Sequence, residues 1–287
     1  MSFRDFARAY GVEITDMRTG DRIHRCGTST HPTSKNGAYF FDGQRGWVQN
    51  WETGESPQWW NDPHAKPWSD TEKREWAARR QAADAEKLRG YELAATKATA
   101  TITSATHGTH GYLKKKGFPD APALLGPDGE LLIPMRDFQS NRLVGIQTTK
   151  LVDNKWEKKM SFGMKAKGAV FRIGPQRAAE AIFCEGYATG LSIDAAARLL
   201  RLNACTVVCF SVGNLAHVAN AMTGARYVFA DNDLSMAGEK AAQDTGLPYV
   251  MSDQVGEDAN DLHQRAGLMA VATKLMAVRK AATSRRA

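Results

Sequence analysis

From residue 181 onward, apolar segments of strand length alternate strictly with segments of helical character. The predicted strands are 181–185, 206–211, 226–230 and 248–251, and the predicted helices between them are 188–200, 215–222 and 236–244. This alternation indicates βαβ units, because parallel strands need a long crossover connection. We therefore expect an α/β fold with a Rossmann-like parallel sheet, covered by helices on both faces.

The part of the chain before this alternation has a different texture. Residues 1–64 are rich in turn formers and aromatics, and they predict a small β-rich unit with a hairpin turn at Asp42 and Gly43. Short strands are expected there at 22–26, 37–41 and 47–51. Residues 107–178 predict a small basic α+β subdomain with strands at 131–135, 143–148 and 169–173.

A helical linker is predicted between these parts, over 65–106. Ser69 and Glu72 form a capping box, with Pro67 just upstream, so the helix should begin at residue 69. Gly90 and the later threonines predict a weak far end, near residue 99. After the parallel-sheet domain, assigned to 179–270, residues 271–287 are expected to form a frayed basic tail.

Composition excludes some classes of protein. No apolar run approaches the roughly 20 residues that span a bilayer, and the amino terminus lacks an apolar signal core. We expect a cytoplasmic protein without a membrane partner. None of the four cysteines forms a C-x-x-C pair, so neither a disulfide framework nor a zinc ribbon is indicated. The net charge of +7 favours an anionic partner, most often nucleic acid.

Acidic residues follow three of the predicted parallel strands. Glu185 ends the first strand, Asp231 and Asp233 follow the third, and a run containing Asp258 and Asp261 follows the fourth. Ligands of open α/β sheets bind at the carboxyl ends of the strands, so all these carboxylates should reach one edge.

Carboxylates that converge in this way repel one another unless cations neutralise them. Oxygen ligands without His or Cys favour a hard cation, Mg²⁺ or Mn²⁺. Such ions usually retain waters and phosphate oxygens, so phosphoryl or nucleotidyl transfer is the chemistry indicated. For a single residue such as Asp233, capping of the following helix is the alternative interpretation. The convergence of several acids favours the metal site.

These residues carry a family resemblance. A strand ending in Glu-Gly, followed by one ending in Asp-x-Asp, resembles the TOPRIM domain shared by primases, topoisomerases and some nucleases. Within that group, the E-G-Y-A-T-G stretch at 185–190 resembles the signature of plasmid- and phage-encoded DNA primases, and GEDANDL resembles their G-x-D-x-N-D-L element. Upstream, LLIPMRDFQSNRLVGIQTTK and KKMSFGMKAKGAVFRIG resemble the basic ridge that guides template and nucleotide in primase cores.

The resemblance implies roles for particular residues. Glu185, Asp231 and Asp233 would be catalytic and would bind metal, with Asp258 and Asp261 as further metal ligands. Gly186 and Gly213 would be structural glycines of the site, Gly186 by allowing a sharp turn. Bacterial replicative primases have an aspartate where this chain has Thr189, and the phage and plasmid type has threonine.

Cations are dense between residues 135 and 177, which indicates a track for a phosphate backbone. Those predicted to bind nucleic acid or nucleotide are Arg136, Arg142, Lys150, Lys159, Lys165, Lys167 and Arg172, within a stretch that also holds Lys155, Lys158 and Arg177. By resemblance, Arg136 and Lys159 are the first candidates for touching template or triphosphate.

Three smaller features keep two interpretations each. The lysines at 114–116 fit either a backbone contact or solubility, and Trp47 and Trp51 fit either base stacking or a small aromatic core. The cluster of His24, Cys26 and His31 is short of a four-ligand zinc set, so no zinc is expected.

The function expected from these features is synthesis of short RNA primers on single-stranded DNA from ribonucleoside triphosphates, in phage or plasmid replication. No G-x-x-x-x-G-K-[ST] phosphate loop occurs, so a separate replicative helicase is the expected partner. The alternatives are a TOPRIM nuclease that uses the same carboxylates, and a non-catalytic DNA-binding accessory protein.

Overall fold

The structure, a computed structural model, describes residues 1–20, 22–53, 56–65 and 69–284. Contacts divide the chain into two compact units, Met1–Arg80 and Gln81–Ala287. Helix α2 (Asp70–Thr103) contributes residues to both units. Pro67, expected just before this helix, lies outside the described residues.

The first unit is a five-stranded antiparallel sheet in the order β1-β2-β3-β4-β5. Its strands are β1 (Val12–Glu13), β2 (His24–Thr28), β3 (Gly37–Phe41), β4 (Arg45–Asn50) and β5 (Gln58–Asn61). The β-rich unit and its hairpin turn at Asp42 are confirmed, since the Asp42 amide donates to the Arg45 carbonyl at 2.9 Å. Helix α1 (Phe3–Ala9), which was not predicted, packs on one face, where Phe3 stacks on Phe41.

Helix α2 begins with the predicted capping box, because the Ser69 hydroxyl accepts from the Glu72 amide and the Glu72 carboxylate accepts from the Ser69 amide. The expected weakening of its far end is wrong. The helix continues to Thr103 because Ala98 is buried against the second unit's core beside Leu132 and Ile146. The late threonines are also accommodated, since each hydroxyl donates to the carbonyl one turn earlier.

The second unit is built on one large mixed sheet. Its antiparallel strands are β6 (Thr106–Gly108), β7 (Ala123–Leu125), β8 (Leu131–Asp137), β9 (Leu143–Val152), β10 (Lys155–Met160) and β11 (Ala169–Ile173). Its parallel strands are β12 (Glu180–Cys184), β13 (Ala204–Val208), β14 (Ala225–Phe229) and β15 (Tyr249–Val250). The main path runs β10-β9-β8-β11-β13-β12-β14-β15, so β11 joins the basic region to the parallel strands in one continuous sheet.

Helices cover both faces of the parallel strands, as predicted. The helices are α3 (Gly111–Lys115), α4 (Tyr187–Leu199), α5 (Val212–Ala221), α6 (Ala237–Asp244), α7 (Ala259–Ala266) and α8 (Leu268–Ser284). The core on one face contains Ile193 of α4 and Leu262 of α7. The core on the other face contains Leu215 of α5 and Ala242 of α6. No helix in the described part of the chain combines the length and apolarity needed to cross a membrane.

The prediction of a frayed tail over 271–287 is wrong for the described residues. Helix α8 continues to Ser284, and Val271, Leu275 and Val278 are buried in the core. Arg279 on the same helix donates two hydrogen bonds to the Glu180 carboxylate at the start of β12. The basic residues at the end of the chain had obscured an apolar stripe of helical spacing.

Helix α8 should therefore carry a measurable share of stability. Leu275→Ala should lower the free energy of unfolding by about 2–5 kcal/mol, because it leaves a cavity in a packed core. Met269→Ala, at an exposed position of the same helix, should change it by less than about 0.5 kcal/mol. Urea denaturation of both variants measures the difference, and equal stability of the two would show that α8 is not part of the core.

Candidate active site

Pairing of the parallel strands brings two carboxylates side by side. Glu185 directly follows β12, and Asp231 comes two residues after the end of β14. These strands are parallel neighbours, with Phe183 opposite Val228, so both acids emerge at the same edge of the sheet. The strand pairing thus brings two of the predicted acids, Glu185 and Asp231, to the same edge of the sheet.

Asp231 is the most perturbed acid of this edge. Its Oδ1 atom is shut off from solvent and has no hydrogen-bond partner. Burial is the largest cause that raises the pKa of Asp231, and together with the nearby carboxylates of Asp258, Glu185, Asp233 and Asp261 it brings that pKa to about 7. A buried carboxylate oxygen without a donor costs free energy, unless a cation or a proton satisfies it.

Glu185 lies in a similar environment. Burial raises its pKa, the Asp233 carboxylate adds to this effect, and the Lys158 ammonium opposes it. Its carboxylate forms no hydrogen bond or ion pair with any residue that the structure describes. Its backbone carbonyl accepts from the amide of Phe210 at 2.8 Å, and Phe210 itself has a positive φ of 65°. This backbone conformation is uncommon for a bulky residue, and it holds the loop after β13 against the loop after β12.

Asp233 performs the capping role that was the alternative interpretation. Its side chain accepts from the Ser235 hydroxyl, from the Ala237 amide at 3.3 Å and from the Gly238 amide at 3.0 Å. These bonds, with that from Ser235 first, lower the pKa of Asp233, so it stays ionised beside Asp231. Gly238 was not predicted as a site residue, yet any Cβ there would collide with the Asp231 carbonyl oxygen.

Asp258 and Asp261 differ from the other acids because protein donors already occupy their oxygens. They form a capping box at the start of α7, in which Asp258 accepts from the Asn260 and Asp261 amides. The second oxygen of Asp258 accepts from the Thr189 hydroxyl at 2.9 Å. Thr189 therefore holds a carboxylate of the site in place, at the position where replicative primases have an aspartate of their own.

Lys116 balances the charge of this second acidic pair. Its ammonium lies 3.3 Å from Asp261 Oδ1. Although burial opposes it, the carboxylates of Asp258 and Asp261 raise the pKa of Lys116. Of the three lysines at 114–116, Lys116 thus has a partner within the protein, and the choice between a backbone contact and solubility stays open for Lys114 and Lys115.

The two predicted structural glycines differ. Gly186 has an ordinary φ of −93°, so a left-handed turn is not the reason for glycine there. A Cβ at Gly186 would lie 3.0 Å from the Thr189 hydroxyl oxygen, so its absence leaves room for the bond to Asp258. Gly213 has open space around its Cα and no positive φ, so nothing in the structure requires glycine at that position.

The donor set fits a hydrated hard cation. Among the described residues, no three His, Cys, Asp or Glu side chains form a ready-made cage for a metal ion. Mg²⁺ usually binds through one or two carboxylates and completes its shell with waters and substrate phosphates. The partner-free oxygens of Asp231 and Glu185 can supply that number of ligands, whereas Asp258 and Asp261 have theirs engaged.

The predicted basic residues separate into groups. Four form ion pairs at nitrogen–oxygen distances of 2.6–3.2 Å: Arg142 with Glu92, Lys150 with Asp128, Lys159 with Glu157, and Lys165 with Asp137. Two donate to backbone carbonyls: Arg136 to Asn141 and Arg172 to Phe138. Lys167 is exposed and has no ion pair among the described residues. Lys167 is therefore the most available of the seven predicted basic residues for contact with a phosphate.

Lys158, rather than Lys159, is the β10 lysine that the structure brings toward the carboxylates. Neighbouring side chains of a strand point to opposite faces, and Lys158 shares its face with Trp156. Its ammonium lies 5.4 Å from the centre of the Tyr112 ring, and it acts on the pKa of Glu185. The alternation of side chains along β10 predicts that Lys158 and Lys159 lie on opposite faces of the sheet. It does not predict which of the two faces meets the site.

The first unit holds the two tryptophans and the His24, Cys26 and His31 cluster, for which the sequence left two interpretations. Trp51 is exposed and lies under the Arg25 guanidinium, so it does not fill a core. Trp47 is half-buried on β4, and both of its interpretations stay open. His31 bonds to Glu52, while burial raises the pKa of the Cys26 thiol to about 11. The absence of zinc stays a prediction.

Comparison with known proteins agrees with the parallel-sheet part. Residues 180–268 match the Toprim domain family. The chain therefore contains a TOPRIM domain, as the Glu-Gly and Asp-x-Asp strand ends indicated. Among curated proteins, none matches the chain.

Two solved structures are similar. One is the bacteriophage T7 lagging-strand DNA polymerase interacting with the primase domains of two gp4 subunits bound to an RNA/DNA hybrid and dTTP, with a TM-score of 0.41 and 15% identity over 61% of this chain and 91% of that chain. The other is the DnaG catalytic core, with a TM-score of 0.36 and 18% identity over 52% of each chain.

The raised pKa of Asp231 predicts a pH-dependent cost in the metal-free protein. Its folded pKa of about 7 lies above the usual value of 3.8, so the folded state loses stability as pH rises through this window. In chelator at pH 8, Asp231→Asn should be more stable than the unaltered protein by about 1–4 kcal/mol, and at pH 4 the two should be nearly equal. Thermal unfolding at both pH values measures this.

A matched control is Asp244→Asn, an exposed carboxylate at the far end of α6, which should show no such pH-dependent gain. A stability difference for Asp231→Asn that is the same at both pH values would mean that Asp231 ionises normally.

Proposed function

We propose that this protein is a DNA primase, which makes short RNA primers on single-stranded DNA by metal-dependent nucleotidyl transfer. The observation that carries the proposal is the buried, partner-free Asp231 oxygen beside Glu185 in a TOPRIM domain. The positive charge of Lys158 acts on Glu185. The E-G-Y-A-T-G context of Glu185 favours a primase of the plasmid or phage type over other TOPRIM enzymes.

In this proposal, Asp231 and Glu185 hold the metal, and Asp233 contributes an ionised charge beside them. Bound Mg²⁺ or Mn²⁺ would neutralise the triphosphate and help to ionise the attacking 3′-hydroxyl. Glu185, whose pKa is raised, is suited to accept the proton of that hydroxyl at a carboxylate oxygen. The 3′-oxygen then bonds to the α-phosphorus of the incoming ribonucleotide, and pyrophosphate leaves.

The remaining residues bind and orient. Lys158 and Lys167, which have no carboxylate partner among the described residues, are the first candidates for phosphate contact. Arg136, Arg142, Lys150, Lys159, Lys165 and Arg172 extend the same basic region and complete the proposed track for template and nucleotide. Thr189, Asp258, Asp261 and Lys116 keep the acidic edge in shape. Thr189 and Lys116 already contact oxygens of Asp258 and Asp261, so these two acids orient the site and Asp231 and Glu185 bind the metal. A separate replicative helicase is the proposed partner.

The test is incorporation of labelled ribonucleotides on single-stranded DNA with Mg²⁺. Glu185→Gln should lower incorporation about 10²–10⁴-fold, because it removes the proton acceptor. Asp231→Asn should lower it as strongly, because it removes the charged ligand. Asp244→Asn is the control with unaltered activity, and DNA binding by all three variants should match that of the unaltered protein.

The same reaction without ribonucleotides separates the rival activity. Products longer than one nucleotide that need ribonucleotides support a primase, whereas shortened DNA in their absence assigns a TOPRIM nuclease. Normal priming by both Glu185→Gln and Asp231→Asn would contradict the site assignment. DNA binding without incorporation under any metal or template would favour the accessory protein.

A further inference from the structure

Phe162 is fully exposed to solvent and lies in a turn between β10 and β11. Single exposed apolar side chains are common on protein surfaces and need no explanation by themselves. What sets Phe162 apart is that the residues on both sides of it are anchored, and that the turn lies at the same edge as the carboxylates.

The anchors fix the turn from both ends. The Ser161 amide donates to the Ile146 carbonyl at 2.9 Å, and the Ser161 hydroxyl accepts from the Ile146 amide at 3.0 Å. Met164 is buried, and it packs so closely on Gly145 that any Cβ there would collide with it. Gly163 has a positive φ of 74°, which lets the chain reverse between these anchors. The backbone that carries the ring is therefore held on both sides, so binding to Phe162 costs less backbone conformational entropy.

The stretch from Phe162 to Gly168, the Phe162 segment, is hydrogen-bonded at its far end to the carboxylate edge. The Gly168 amide donates to the Asn214 side chain at 2.7 Å, and Asn214 in turn donates to the Cys209 carbonyl at 2.8 Å, just beyond β13. The next residue, Phe210, is the one whose amide bonds to the Glu185 carbonyl. A short series of hydrogen bonds therefore connects the Phe162 segment to the backbone of the acidic site.

The charge around the turn complements a polynucleotide. Lys158 and Lys159 precede Phe162, and Lys165 and Lys167 follow it. Glu157 and Asp137 pair with two of these lysines, while Lys158 and Lys167 have no carboxylate partner in the described part of the chain. Lysines that flank an exposed aromatic ring are the combination used to bind single strands, since phosphates contact the cations and bases stack on the ring.

We infer that Phe162 stacks on a base of the single-stranded nucleic acid next to the carboxylate site, between lysines that contact its phosphates. This inference rests on the proposed function and adds a base-contacting residue to it. Stacking is tolerant of sequence, because every base has an aromatic face. Phe162 would thus position the strand without selecting an initiation sequence.

The test measures binding of the full chain to a fluorescent oligo(dT) by anisotropy at several salt concentrations. Phe162→Ala should weaken binding about tenfold, the usual size of one lost stacking contact. The slope of log K against log salt should not change, because no phosphate contact is removed. Phe162→Trp should restore binding, and its indole fluorescence should be quenched by the oligonucleotide.

Two controls separate stacking from general effects. Leu199→Ala removes an exposed apolar side chain at the opposite edge of the sheet and should leave binding unchanged. Lys167→Gln should reduce the salt slope by about one, unlike Phe162→Ala.

Binding by Phe162→Ala within twofold of the unaltered protein, or a failure of Phe162→Trp to restore it, would overturn the inference while the primase proposal stands. If the unaltered protein does not bind oligo(dT) at all, both proposals fail together.

Discussion

Parallel pairing of β12 with β14 is the constraint on which the candidate site depends. It places Glu185 and Asp231 at neighbouring strand ends, where burial and mutual repulsion penalise two charges at once. The Lys158 ammonium opposes the charge penalty at Glu185, but Asp231 Oδ1 has no donor, and the Glu185 carboxylate forms no hydrogen bond or ion pair among the described residues. A bound cation would offset this cost, because a ligand that binds only the folded state stabilises it, and the cost therefore supports the proposed metal site.

The acids of this edge have two different roles. Asp258 and Asp261 are satisfied internally by a capping box, by Thr189 and by Lys116, so their charges are compensated without any ligand. Asp233 lies between these cases, since it caps α6 but remains ionised beside Asp231. The fold thus neutralises one acidic pair with its own residues and leaves the other pair open at the mouth of the sheet.

The sequence predicted the parts of the fold that depend on periodicity. The alternation after residue 181 predicted the parallel sheet and its two helical layers, because strand and helix patterns there extend over many residues. It could not predict that the Thr189 hydroxyl donates a hydrogen bond to Asp258, since that bond joins residues 69 positions apart through tertiary packing. The prediction of a frayed tail is wrong because basic residues masked a buried stripe through Leu275. The sequence places Lys158 in the basic stretch, but which face of β10 meets the site depends on tertiary packing.

The most direct test of this account is anomalous diffraction from crystals soaked with Mn²⁺. The account predicts an anomalous peak about 2.0–2.2 Å from a carboxylate oxygen of Asp231, with Glu185 as its neighbour in the same shell. A peak at Asp258 and Asp261 with Lys116 displaced, or none at the carboxyl edge of β12 and β14, would contradict it.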